Sequence, residues 1–363
     1  MHLGKLSTKS LSWPVKLTFS SLVLLVLMAG ISGFMAWHFV ETPLNATTNA
    51  TTIFTVESGQ SLRTIATHLE EQGLVRYGEG FRLWGRYQQI PLQAGEFELS
   101  PSMSPRQILD ILAFGKPILH RLHFAEGLTM LDIAQIVEAT GLTTAKAFLD
   151  ACHDQDFLAK NKIPAPNAEG YLFPETYFFP RIPEHNPYPI LQAILDQFHT
   201  TTKDLPQAKD PHTLHQLVIL ATLVEKETGI GTERSKVAGV YAKRLAIGML
   251  LQCDPTIIYG LGQNFDGRLR RSHLQDATNP YNTYIHPGLP PGPICSPGQA
   301  ALMAAAYPEE HEFLYFVAKS DGSHQFSRTL REHNNAVIKY QRGGRPFPSS
   351  RSTTKPQKPD FTN

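Results

Sequence analysis

The sequence predicts an α+β chain with a single N-terminal transmembrane helix, a small strand-turn-helix subdomain, and a mixed helix/strand domain that fills most of the remainder. Three observations carry that prediction. Residues 17–40, LTFSSLVLLVLMAGISGFMAWHFV, hold no Asp, Glu, Lys or Arg, and at about 1.5 Å per residue they exceed the roughly 30 Å hydrocarbon core of a bilayer. Beyond them, short β-branched or aromatic runs alternate with amphipathic helical patterns. One later helical run, Leu217 to Val224, is apolar on every side, as a buried core helix is.

The first 16 residues carry Lys5, Lys9 and Lys16 and no acid, whereas Glu41 opens the far side of the span. The positive-inside bias therefore places residues 1–16 in the cytoplasm and exports the rest. A cleaved secretory signal is the competing reading. The apolar run is too long for it, and Trp37, His38 and Glu41 stand where a signal needs small residues. Residues 41–52, ETPLNATTNATT, are small and polar and read as a flexible tether.

IFTVESGQSLRTIATHLEEQGLV then reads as a short strand, a Ser-Gly turn, and a helix capped by Ser61 with Leu62, Ile65, Ala66 and Leu69 on one face. Shifted by 68 residues, FTVESGQSLRTIATHLEEQGL lies over LHFAEGLTMLDIAQIVEATGL, pairing Gly59 with Gly127, Ile65 with Ile133 and Gly73 with Gly141. The match suggests two similar strand-turn-helix units, although any amphipathic helix after a glycine turn would align in the same way. Between them, QAGEFELSPSMSPRQILDIL gives another strand and a helix capped near Ser104 with Pro105 in its first turn.

Residues 160–190 are rich in Pro and aromatic residues and read as an ordered loop or short elements. Helical patterns follow at Leu214 to Thr228 and Glu233 to Ile247, then the Pro/Gly-rich HPGLPPGPICSPG, a helix near Ala300 to Ala306, and a hairpin turning at Asp321-Gly322. Residues 343–363 lack the large apolar side chains needed to fold and read as a disordered tail.

Composition excludes several function classes. With 42% hydrophobic residues and a formal net charge of +1, nothing points to a nucleic-acid partner. Cys152, Cys253 and Cys295 are odd in number, unrelated in spacing and without ligand-like His neighbours, so no metal site or disulfide framework is expected. No nucleotide, dinucleotide or nucleophile-elbow motif is present, and no cofactor is expected.

Carboxylates remain. The buried run 217–224 ends in Glu225, Lys226 and Glu227. A glutamate at the end of such a helix loses hydration, which raises its pKa toward the range of a general acid near neutrality, the chemistry of glycosidic bond cleavage. The two glutamates lie about 200° apart on the helix, so they face different surroundings. Periodicity does not choose between them, and both could instead be solvated partners of Lys226, Arg234 or Lys236.

ATLVEKETG, ERSKVAGVYAKRLAIGMLLQCDPTIIYGLG, YNTYIHPGLPPGPICSPG and FVAKSDGSHQFSRTLREHN, preceded by EGYLFPETY, together resemble the YceG-like family of endolytic murein transglycosylases. The likeness runs in order over roughly residues 53–340. It implies a membrane helix, a LysM-like subdomain (53–120) and a YceG-like catalytic domain (121–342) in the periplasm of a bacterium, anchored in the inner membrane. The implied reaction cleaves the bond between N-acetylmuramic acid and N-acetylglucosamine in peptidoglycan without water, leaving a 1,6-anhydro end. In the family's E-K-E-T motif the catalytic residue is the second glutamate, here Glu227. Glycan strands are the implied substrate and peptidoglycan synthases the expected partners.

The same resemblance places Glu169, Tyr171 and Glu175 (EGYLFPETY), Gln252 and Asp254 (LQCDPT), and Tyr281, Asn282, Thr283 and Tyr284 (YNTY) along a sugar cleft. Their amide, carboxylate and phenol groups suit hydroxyl-rich rings with flat apolar faces. Each also admits a structural role: Tyr171 in the core, Asp254 shaping a turn before Pro255, Asn282 capping a loop. Cys253 departs from the family pattern, which carries a small hydroxyl there, and CSPG replaces a common Asn-Pro-Gly. Two rival functions stay open. A hydrolytic muramidase would need a second carboxylate, Asp254 or Glu175, roughly 5–9.5 Å from the first; an inert wall-binding scaffold would need none.

Overall fold

The computed structural model describes residues 13–181 and 185–342. The first 12 residues and the 343–363 tail expected to be disordered lie outside that range. Helix α1 (Trp13–Glu41) contains one apolar span, Ser21–Glu41, of mean hydropathy 2.0. Its Leu24, Leu25, Phe34 and Met35 all stand exposed, so no protein surface accounts for their apolar character. That fits a single-pass membrane anchor.

Two compact units follow from the chain's own contacts, the first being the described residues up to His120 together with Pro180 and Arg181. In it, β1 (Thr52–Val56) leads to α2 (Leu62–Glu71), α3 (Gly78–Gln88), β2 (Gly95–Leu99) and α4 (Pro105–Phe114). β1 and β2 pair antiparallel with Phe54 opposite Phe97. The period-2 pattern turns Phe54 and Val56 inward against Ile65, Leu69, Phe81, Leu99, Ile108 and Leu112. Ser61 caps α2 through Thr64 N, and α4 starts with a full capping box between Ser104 and Gln107.

α3 was not expected, and its glycines explain why. Gly78, Gly80 and Gly85 each weaken a helix by about 1 kcal/mol relative to Ala. Yet a Cβ on Gly78 would meet the Ala66 carbonyl oxygen at 2.5 Å, and one on Gly85 would meet Leu62 at 3.1 Å. Close approach of α3 to α2 favours glycine at 78 and 85, and Gly80 faces the Phe39 ring of α1. The 41–52 stretch also differs from a free tether: Glu41 ends α1 and pairs with Arg106 at 2.7 Å, Asn45 N–H donates to Pro101 O at 2.9 Å, and Thr52 already belongs to β1.

The second unit holds β3 (His120–His123, from Arg121 on), α5 (Met130–Ala139), α6 (Ala145–Cys152), α7 (Gln155–Lys160), β4 (Thr176–Phe179), α8 (Tyr188–Thr202), α9 (Pro211–Glu227), α10 (Arg234–Ala246), α11 (Asp254–Leu261), α12 (Arg271–Leu274), α13 (Gln299–Ala306), β5 (Tyr315–Ala318), β6 (His324–Ser327) and α14 (Leu330–Val337). β3 pairs with β4, and β5 with β6 in the expected antiparallel hairpin, where Gly322 supplies φ +84° at the turn. The architecture is therefore mixed helix and strand with small two-stranded sheets. α9 starts at Asp210, whose carboxylate accepts from Thr213 N, and Leu217 to Val224 are all buried where α9 packs on α10, α11 and α13. The 68-residue correspondence holds locally. Gly59 and Gly127 both have positive φ in the turn, Ser61 and Thr129 both cap, and Gly73 and Gly141 both leave the helix left-handed.

Candidate active site

The two glutamates at the end of α9 part company. Glu225, its side chain 5% exposed, accepts Gly298 N–H at 2.9 Å on one oxygen and Arg234 Nη2 at 3.4 Å on the other. It joins the start of α13 and the start of α10 to the end of α9. Lys226 donates to Gly127 O at 3.1 Å. Glu227 turns the other way, where Tyr241 Oη on α10 donates to its Oε1 at 2.8 Å and the Cys253 thiol is a second partner. The residue keeps part of its surface open although Tyr241 and Cys253 are buried.

Burial raises the Glu227 pKa above the ordinary carboxyl value. The bonds from Cys253 and Tyr241 pull it down, the negative Asp254 adds to the rise, and His324 opposes it. The same burial pushes the Cys253 thiol well up. It is a neutral hydrogen-bonding group rather than a thiolate nucleophile.

The segment 251–254, which leads into α11, positions this group. Leu251 and Cys253 point inward while Gln252 and Asp254 are exposed. Gln252 holds φ +52°, a left-handed conformation that costs a non-glycine residue about 1–2 kcal/mol. Its N–H donates to Thr283 O at 3.0 Å, Cys253 N–H donates to Thr283 Oγ1 at 3.0 Å, and Tyr284 Oη donates to Asp254 Oδ1 at 2.7 Å. Two separated sequence motifs are thus zipped together beside Glu227. Burial pushes the Tyr284 phenol up, keeping it a donor.

Other expected cleft residues take scaffold positions. Asn282, fully buried, donates Nδ2 to the carbonyls of His273, Leu274 and Asp276 and accepts Tyr284 N–H, closing the loop that carries the YNTY motif. Tyr171 lies in the core, stacked on His215 with its hydroxyl 2.8 Å from Nδ1. Glu175 is exposed, its carboxylate accepts Thr176 N–H, and no bond among the described residues joins it to Glu227.

Glu169 forms a second buried polar group. Both its oxygens lie 3.1 Å from Met130 N at the start of α5, Tyr259 Oη donates at 3.1 Å, and Tyr259 packs on Tyr281 with ring centres 4.9 Å apart. Burial raises Glu169 to about 7 despite those bonds. A carboxyl raised from 4.5 to about 7 on folding contributes stability that is complete below about 4.5 and lost as pH rises through about 7. The melting temperature of Glu169→Gln, relative to wild type, should therefore rise between pH ~5 and pH ~8. A difference that stays flat across that range would show that Glu169 does not titrate there.

The sequence reading passed over Tyr241, Thr256, Tyr259 and the Glu233–His324 pair, where His324 Nδ1 lies 2.7 Å from Glu233 Oε2. A tyrosine on the apolar face of α10 was the available signal, because a buried phenol needs a partner.

The profile of the YceG-like family matches residues 54–339. A Bacillus subtilis protein named endolytic murein transglycosylase is 30% identical over 316 residues, covering 82% of this chain and 87% of its own. A Streptococcus pneumoniae protein of the same name is 29% identical over 88% of this chain; the alignment spans 64% of that longer relative. The crystal structure of a yceG-like protein from Listeria monocytogenes superposes with a TM-score of 0.53 at 30% identity, over 80% of this chain and 100% of that one. With one domain profile and aligned relatives spanning most of its length, the protein belongs to the YceG-like family.

Proposed function

We propose that this chain is a membrane-anchored endolytic lytic transglycosylase that cleaves the MurNAc–GlcNAc bond of peptidoglycan, with Glu227 as its acid and base. The observation that carries this reading is the Glu227 carboxyl, of raised pKa and, unlike Glu169, partly open, held by Tyr241 and Cys253 beside exposed Gln252 and Asp254. The protonated carboxyl gives its proton to the glycosidic oxygen as the bond to muramic C1 breaks. The muramic C6 hydroxyl oxygen then bonds to C1, and its proton returns to the Glu227 carboxylate. One group performs both transfers, and no water is consumed. The relatives' name, endolytic murein transglycosylase, supports the same reading.

In this proposal Gln252, Asp254 and Tyr284 contact the sugars, while Glu169, Tyr281, Thr283, Asn282 and Tyr171 shape the wall behind them. Residues 53–120 act as a LysM-like glycan-holding subdomain, a role supported by their separate core and self-contained strand pair. The apolar span and the basic N-terminal flank support an inner-membrane anchor with the catalytic domain in the periplasm, near synthases that emit new strands.

Mass spectrometry of glycan digested by the purified chain is the test. Anhydro-muramic ends at internal cuts are expected. Reducing muramic ends would instead favour a hydrolase using Asp254, whose charge reaches Glu227; glycan bound but never shortened would leave a scaffold.

Tyr241 gives a further check. Its hydroxyl donates to the charged carboxyl, so Tyr241→Phe raises the Glu227 pKa. The first step needs the protonated form, so the basic limb of the kcat/KM profile should move to higher pH. A limb that stays in place or moves down would remove Tyr241 from this role.

A further inference from the structure

The junction between α1 and the first unit is built rather than loose. Val40 is 3% exposed, the Phe39 and Tyr77 rings sit 6.2 Å apart, Glu41 pairs with Arg106, and Asn45 is bonded to Pro101. Between these contacts lies a groove of about 220 Å³. Met35 and Phe39 of α1 line it together with Leu44, Leu74, Pro105 and the exposed Arg76.

Its level relative to a bilayer follows from the helix. The uncharged run of residues 17–40 ends at Glu41, the first charged side chain beyond the span. Glu41 therefore marks the outer face, and Met35 lies about 9 Å below it. The groove crosses that face, its floor in hydrocarbon and its rim among headgroups. Exposed Trp37 and Tyr77 occupy the zone that aromatic side chains favour.

Charge points to the headgroup. Arg82 is paired with Glu79 and Arg106 with Glu41, but Arg76 is exposed and no acid pairs with it among the described residues. Guanidinium binds phosphate in two-pronged fashion.

We propose that this groove holds one anionic phospholipid of the outer leaflet, a chain lying between Phe39 and Leu74 and the phosphate on Arg76. The proposal rests on the membrane-anchor reading. A lipid seated there fixes the first unit against the bilayer surface instead of letting it swing on a tether, which sets how far from the membrane this end of the protein meets glycan.

The experiment uses the full-length chain in nanodiscs of equal parts phosphatidylglycerol and phosphatidylcholine, followed by native mass spectrometry. One retained phosphatidylglycerol per chain is expected. Arg76→Gln should lower its retention relative to phosphatidylcholine about tenfold. Thr42→Trp, which fills the groove from its rim, should lower retention of both lipids, while Arg86→Gln on exposed α3 surface should change neither. The proposal fails if no lipid is retained, if Arg76→Gln and Arg86→Gln behave alike, or if inorganic phosphate displaces the bound mass. Alkaline extraction of cell membranes separates the two readings: a chain released into the supernatant overturns the anchor, whereas a chain that stays in the membrane but retains no lipid overturns only the groove.

Discussion

Glu227→Gln is expected to lower turnover by about 10²–10⁴-fold while the protein still folds and binds glycan, since that is the range a positioned acid–base group supplies. The amide keeps the shape and still accepts from the Tyr241 hydroxyl through its oxygen, but it has no proton to give and cannot take one back. Stability should hold or rise. Burial raises the Glu227 pKa, which means that its charged form is costly in the folded protein, and the amide removes that cost. Initial rates on intact glycan strands, read beside a thermal melt, check both halves. More than about a tenth of wild-type activity in a well-folded Glu227→Gln protein would exclude Glu227 as the group that moves the proton.

Much of the fold was legible because local and global signals agree. The apolar run of α9 needs burial on all sides and gets it; Ser104 with Gln107, and Asp321 with Gly322, carry the chemistry their positions demand. α3 was hidden because its glycines argue against a helix in isolation and make sense only against what they face, Gly78 the Ala66 backbone, Gly80 the Phe39 ring and Gly85 the Leu62 side chain. The 41–52 stretch looked like a tether because a backbone bond from Asn45 to Pro101 leaves no trace in composition.

At the site, helical period showed that Glu225 and Glu227 face different ways but not what each meets, because Gly298, Tyr241 and Cys253 arrive from distant parts of the chain. Asn282 and Tyr171 show the same limit: polar residues inside a recognisable motif, yet one satisfies loop carbonyls and the other packs on His215. A motif records that residues occur together without dividing those that touch substrate from those that hold the wall.

The neighbour of the proposed catalytic residue should be the more damaging one to stability. Glu225 is the shared acceptor for the Gly298 N–H that opens α13 and for Arg234, which is 14% exposed and whose Nε already lacks a partner. Glu225→Ala leaves the part-buried Gly298 N–H and a largely buried guanidinium without their carboxylate. Breaking a buried pair from one side costs about 3–5 kcal/mol. At about 2–4 °C per kcal/mol for a domain of this size, the melting temperature should fall by on the order of 10 °C. Glu225→Gln keeps an acceptor for Gly298 and loses only the charge opposite Arg234, so it should fall less. Both variants, assayed well below their melting points, should keep a larger share of wild-type turnover than Glu227→Gln, because Glu225 holds helices together and moves no proton. If Glu225→Gln proves as inactive as Glu227→Gln while melting like wild type, Glu225 belongs to the chemistry, and the division between the two glutamates drawn from their bonding is wrong.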